Sequence, residues 1–203
     1  QQWSFHFHPQ APDFSDGLKR NRNALPVPAL RGAYQLGNAA CALAVIECLN
    51  AELPIDIGAI KRGLLLVSNP GRFQVLPGRP LVILDVGHNP HAARALRQGL
   101  MALPFAEKRI AVFSMLADKD IDAVIEIVKD QFDEWYLAPL ALPRGQSAQA
   151  QAQKLEAHGI GHVHCLENVA AAYHAALAGA SENDRITVFG SFHTVAEVMA
   201  AQQ

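Results

Sequence analysis

Asp85 and His88 stand together in the stretch Leu84-Asp85-Val86-Gly87-His88-Asn89-Pro90-His91-Ala92-Ala93, a carboxylate and an imidazole one short turn apart. A carboxylate accepts hydrogen bonds from hydroxyls or N–H groups, and an imidazole accepts, donates or moves a proton near neutral pH. Near the C-terminus, Gly190-Ser191-Phe192-His193-Thr194 sets a hydroxyl beside a second imidazole. Neighbouring Ser and His seldom point towards each other and the chain has no G-x-S-x-G elbow, so this segment reads as a helix N-terminus able to cradle an anion. Arg72, directly after the breaker Ser68-Asn69-Pro70-Gly71, supplies a guanidinium. Gln35 and Asn38, three apart on one helical face, pair two amides that serve as capping or solvent contacts or read the edge of a base.

Two other chemistries fit less well. The turn Val86-Gly87-His88-Asn89-Pro90-His91 puts an imidazole where a dinucleotide fingerprint needs glycine for close pyrophosphate approach. Asp85, His88 and His91 have a metal-like spacing, but His91 falls in the first turn of a helix and reads as solvent-facing, and His6 with His8 lacks a recognisable third ligand.

The elements that must hold these groups follow from the pattern around them. Leu81-Val82-Ile83-Leu84 is an apolar, β-branched run typical of a buried parallel strand, and Asp85 ends it. Gly87 permits a tight turn, Asn89 is a good N-cap, and Pro90 suits the first helical position. Phe73-Gln74-Val75 and Leu81 to Ile83 flank a turn-rich link and predict an antiparallel hairpin. Strands over 109–114, 134–138, 162–166 and 185–189 then alternate with helices over 90–103, 120–130, 147–158, 169–179 and 194–201. Such alternation predicts an α/β fold, a Rossmann-like, mostly parallel sheet with flanking helices and its strand ends on one rim. That rim collects Asp85 and His88, Asp118-Lys119-Asp120, Arg144 and Ser191.

Upstream, residues 1–30 are irregular apart from an alternating Trp3-Ser4-Phe5-His6-Phe7-His8, and show no core-forming period. A helix is expected from Tyr34 to about Ala51 with an apolar stripe through Leu36, Ala39, Ala40, Leu43, Ile46 and Leu49, and a second from Ile55 to Leu65. The Pro-Gly breaker divides the chain into residues 1–70 and 71–203. Of the 203 residues, 50% are hydrophobic and 18% charged, enough to bury a core. A net charge of −2 without a Lys/Arg block argues against a nucleic-acid partner, and no apolar run approaches the length of a membrane span. Cys41, Cys48 and Cys165 form no C-x-x-C pair, which points to a reducing, cytoplasmic setting.

Taken in order, Pro70-Gly71-Arg72-Phe73-Gln74, the D-x-x-H-N-P-x-A segment from Asp85, Asp118-Lys119-Asp120 and Gly190-Ser191-Phe192-His193-Thr194 closely resemble the C-terminal half of the folylpolyglutamate synthase and dihydrofolate synthase family, relatives of the Mur ligases. The resemblance runs over nearly the whole chain. It implies a Mur ligase C-terminal domain over 71–203, preceded by the tail of the central ATP-binding domain over 1–70. It implies an ATP- and Mg²⁺-dependent, cytoplasmic, monomeric ligase that adds L-glutamate to dihydropteroate and to folates through an acyl phosphate. Residue by residue, it assigns Asn38 to the adenine edge, Arg72 to the ATP phosphates across the domain boundary and Asp85 to the nucleotide. His88 and Ser191 fall to glutamate, with Asp118, Lys119 and Arg144 at the cleft and no catalytic residue fixed. One departure matters: no G-x-x-x-x-G-K-[ST] phosphate loop occurs, so the magnesium ligands and the phosphate loop are expected in a missing N-terminal domain and the chain alone is expected to be inactive. The alternatives are a cell-wall amino-acid ligase of the Mur type and a non-catalytic nucleotide- or amino-acid-binding domain.

Overall fold

The computed structural model describes residues 1–8, 20–32 and 34–202, which form two compact units, residues 1–69 and 70–203. Residues 9–19, part of the stretch expected to be irregular, lie outside the described set.

The first unit corrects the expectation that residues 1–30 build no core. Strand β1 (Gln2–Phe7) pairs antiparallel with β2 (Arg20–Pro26), and Phe5 and Leu25 are buried against Leu43 of α1 (Tyr34–Leu49) and Ile60 of α2 (Ile57–Leu66). Asp56 caps α2 by accepting from the Ala59 N–H at 3.0 Å. Helix α1 buries Ala39 and Leu43 of the expected stripe, with Ala40 and Ile46 half-buried, but Gln35 and Glu47 also turn inward while Leu36 and Leu49 are exposed. The polar members tolerate burial because each has a partner. Glu47 accepts from Arg22 Nε at 2.7 Å, and Gln35 Oε1 accepts from Asn38 Nδ2 at 2.9 Å. His6 is exposed and its Nδ1 lies 3.0 Å from Asn21 Oδ1.

The second unit is the α/β domain. Its six-stranded sheet runs β3-β4-β8-β5-β6-β7, with β3 (Gln74–Leu76) antiparallel to β4 (Leu81–Asp85) and every other pair parallel. The remaining strands are β5 (Arg109–Phe113), β6 (Glu134–Leu137), β7 (Val163–Cys165) and β8 (Arg185–Phe189). Helices α3 (Pro90–Met101), α4 (Ile121–Val128) and α5 (Ala148–Ala157) cover one face through Leu96, Ile125 and Leu155. Helices α6 (Val169–Ala178) and α7 (Phe192–Ala201) cover the other through Ala172, Val195 and Val198. Alternate strand residues serve the two layers: Ile83, Phe113 and Trp135 face the first, Leu84, Val112 and Val188 the second.

The consequence for function lies between β4 and β8, which are adjacent and end level, with Asp85 opposite Phe189. The helix after β4 lies on one face of the sheet and the helix after β8 on the other. The two loops leave towards opposite faces there, and the crevice such a parting makes at the carboxyl ends is where open α/β sheets bind ligands. Helix α7 starts at Phe192, two residues before the expected Thr194, because Ser191 is its N-cap.

Candidate functional site

Asp85, at the last position of β4, is 6% exposed and fastens two loops at once. Its Oδ1 accepts from the Gly87 N–H at 2.7 Å and its Oδ2 from the Phe73 N–H at 2.9 Å. Burial pushes its carboxyl above the ordinary range, opposed by those two N–H bonds and by the Arg72 charge. Asp85 is therefore both the turn-stabilising residue its position allows and the anchor of the segment that carries Arg72.

That segment is tightly fitted. Gly71 adopts φ +72, its carbonyl accepts from the Val86 N–H at 2.7 Å, and a Cβ there would lie 2.7 Å from Val86 Cγ1. Phe73 adopts φ +44, in the left-handed region that non-glycine residues seldom enter, and its ring fills the space beside Gly99 of α3. Arg72, between them, is exposed and places its guanidinium 5.6 Å from the Phe192 ring centre. His88 lies on the same ring, centroid to centroid 6.0 Å. Its Nδ1 is 2.9 Å from the Val86 carbonyl. A carbonyl only accepts, so Nδ1 carries the proton and Nε2 keeps a free lone pair while the imidazole is neutral.

Ser191 is 4% exposed and its hydroxyl is engaged inside the chain. Its oxygen accepts from the Thr194 N–H at 3.0 Å and lies 2.7 Å from Thr194 Oγ1, which itself donates to the Ser114 carbonyl at 2.7 Å. The Ser191 proton thus goes to Thr194, and what the turn offers outward is the N-terminus of α7, with its unpaired N–H groups and positive dipole end. Gly190 at φ +113 makes this possible, since a Cβ there would lie 2.6 Å from the Ser114 carbonyl oxygen.

The structure therefore brings Arg72, Asp85, His88 and the Ser191 cap to one edge of the second unit, where Arg72 and His88 both meet the Phe192 ring. Asp118 and Arg144 meet on the loops after β5 and β6, 2.7 Å apart, with Lys119 Nζ 3.5 Å from Asp118. The Arg144 and Lys119 charges hold the Asp118 carboxyl below its usual range against the opposing effect of desolvation. Asn38 is in the first unit, on the wall of a mostly apolar cavity of about 490 Å³ that also includes Gln35, Leu43, Ile46 and Ile60.

Phe192, Phe73 and Gln151 contribute without having been singled out from sequence. Gln151, fully buried, accepts from the Met115 N–H at 3.1 Å and donates to the Ala138 carbonyl at 2.9 Å, tying the ends of β5 and β6 together. A glutamine in the alanine-rich segment of α5 was its only signal. Among the described residues no group of three His, Cys, Asp or Glu side chains is placed to hold a metal, and none of the helices is long and apolar enough to cross a membrane.

Residues 71–192 match the model of the Mur ligase glutamate ligase domain. The chain is 40% identical over 198 residues to the dihydrofolate synthase/folylpolyglutamate synthase of Escherichia coli, a match covering 98% of this chain and 44% of the relative. The corresponding Haemophilus influenzae enzyme is 38% identical over 81% of this chain and 42% of its own length. The chain thus spans less than half the length of these curated relatives. Among solved structures, Escherichia coli FolC in complex with ADP superposes with a TM-score of 0.78 at 39% identity, covering 90% of this chain and 42% of that one. A bifunctional folylpolyglutamate synthase/dihydrofolate synthase solved with Mn, AMPPNP and L-glutamate bound gives a TM-score of 0.79 at 45% identity with the same coverage.

Proposed function

The chain belongs to the Mur ligase family, with residues 71–192 as the glutamate ligase domain, and on that premise we propose that it is part of an ATP-dependent ligase joining L-glutamate to dihydropteroate and to folates. The observation that carries this reading is the convergence of Arg72, His88 and the N-terminus of α7 on the exposed Phe192 ring at the crevice between β4 and β8. In the reaction a substrate carboxylate attacks the γ-phosphorus of ATP and ADP leaves; the glutamate amine then attacks the acyl carbon of the acyl phosphate, and inorganic phosphate leaves.

Each residue has a part suited to its surroundings. Arg72, without an ion-pair partner among the described residues, neutralises charge on the transferring phosphoryl group. His88 Nε2, fixed as an acceptor by the Nδ1 bond, orients the glutamate ammonium and takes up its proton so that a neutral amine can attack. Ser191 holds the first turn of α7 so that its free N–H groups receive a glutamate carboxylate. Asp85 serves the nucleotide as a positioning residue, through the Arg72 loop, since both of its oxygens already accept N–H groups. Asn38 offers its amide to the adenine edge, and Asp118, Lys119 and Arg144 shape the rim of the cleft.

The Arg72 guanidinium fits a polyphosphate. The donors for magnesium do not gather among the described residues of this chain, and we assign them, with the phosphate loop, to the remaining domain of the ligase. The same reading makes the enzyme cytoplasmic and monomeric. Calorimetry with ATP and with L-glutamate, on the chain alone and after addition of the remaining portion of the Escherichia coli relative, tests it. Binding of both ligands that strengthens on addition is expected, and no binding in either state would refute the proposal.

A further inference from the structure

At the opposite end of the sheet from the crevice, the amino ends of β4 and β8 and the Pro104 loop enclose a cavity of about 410 Å³. Arg185, first residue of β8, lines it and is only 5% exposed. Its side chain makes one hydrogen bond, a long one from Nη1 to the Pro104 carbonyl at 3.5 Å, and its Nε, fully enclosed, has no partner. No carboxylate among the described residues lies within ion-pairing distance of it.

The surrounding charges make the lack of a counterion sharper. Arg185 sits directly across the β5–β8 pair from Arg109, a second guanidinium. Burial and the Arg109 charge both push the Arg185 guanidinium below its ordinary range, with only Asp133 acting the other way. Asp133 itself is gripped by Arg109 through Nη2 at 2.6 Å and Nε at 3.0 Å. The acids on the cavity wall are engaged as well. Asp184 accepts from the N–H groups of Ser181 and Lys108 at 2.6 and 2.9 Å, Glu107 accepts from Asn183 at 2.9 Å, and Glu182 lies 3.9 Å from Arg79. None of these acids pairs with Arg185, and a buried cation without a counterion is costly.

We propose that this cavity binds a small oxyanion, a phosphate or a carboxylate, on the buried Arg185 guanidinium, as a site separate from the crevice at the other end of the strands. A guanidinium offers a planar fork of N–H donors that matches such anions.

The test is a titration of the ¹⁵N-labelled chain with inorganic phosphate, with acetate, and with sodium chloride at matched ionic strength, following the Arg185 Nε–H resonance and the amides of Leu81 and Asp184. Saturating shifts with phosphate or acetate, absent with chloride, are expected, and the more effective anion identifies which oxyanion the site prefers. Arg185→Gln is expected to weaken the response at Leu81 and Asp184 at least about tenfold. Should that variant fail to fold, the Arg185 Nε–H resonance of the unaltered chain still decides. Shifts that never saturate, that chloride reproduces, or that stay confined to Gly87 and Phe192 would overturn the proposal.

Discussion

The guanidinium of Arg72 lies 5.6 Å from the ring centre of Phe192, joining the loop that precedes β3 to the first turn of α7. Phe192 is 54% exposed, so it contributes little to the core and much to the shape of the crevice. Replacing it with leucine is expected to leave the unfolding midpoint nearly unchanged while weakening ADP affinity about two- to fivefold, the size of an exposed cation–π contact of about 0.5–1 kcal/mol. Calorimetry of the two proteins checks this, and equal affinities would remove the ring from the site.

Asp85→Asn tests the anchor of the two loops. An amide presents one oxygen and one NH₂ to the Phe73 and Gly87 N–H groups, so one donor must face another. The expected loss is about 1–3 kcal/mol in urea unfolding. Unchanged stability would mean that the loops hold themselves.

Gly99 and Gly37 make an opposed pair. Glycine to alanine inside a helix usually stabilises by about 0.5–1 kcal/mol. Gly37 of α1 has no atom near the position of an added Cβ, and Gly37→Ala should follow that rule. At Gly99 the new Cβ would lie 2.4 Å from Phe73 Cε2, so Gly99→Ala should instead destabilise by about 1–3 kcal/mol and disturb the Arg72 loop. Thermal melts showing the same sign for both would contradict the packing described for Phe73.

The pH dependence has a definite sign. The hydrogen bond from Arg109 holds the Asp133 carboxyl below its ordinary value, so its stabilisation is complete above about pH 3.9 and is lost as the pH falls through the depressed folded value. The stability gap between the unaltered chain and Asp133→Asn should therefore be widest near neutrality and close in acid. Asp85 runs the other way: its raised pKa makes its ionisation unfavourable to folding as the pH rises through the folded value. A gap at Asp133 that does not vary with pH would place its role outside the Arg109 pair.

Much of the second unit was legible because its signals are local. Apolar β-branched runs, Asn89 before Pro90 and the spacing of strand and helix segments each specify their element, and Asp85 at a strand end already implied a rim. What was not legible depends on contacts distant in sequence. The left-handed Phe73 is fixed by Asp85 and Gly99, and the buried Gln151 by Met115 and Ala138; neither carries a local signal. In the first unit, β2 was missed because Arg20-Asn21-Arg22-Asn23 shows no apolar alternation, and only pairing with β1 makes it a strand. On α1 the burial of Ala39 and Leu43 was legible, but that of Glu47 was not, because its partner Arg22 lies outside the helix sequence.

Glutamate-dependent release of phosphate from ATP tests the central claim most directly. It would be measured with a folate acceptor on the chain alone, on the chain with the remaining portion of the Escherichia coli relative, and on that mixture carrying Arg72→Ala. No release by the chain alone, release in the mixture, and a loss of at least about tenfold with Arg72→Ala are expected, given the strength of charge-assisted bonds to phosphate. Robust turnover by the chain alone, or an Arg72→Ala mixture as active as the unaltered one, would contradict the account.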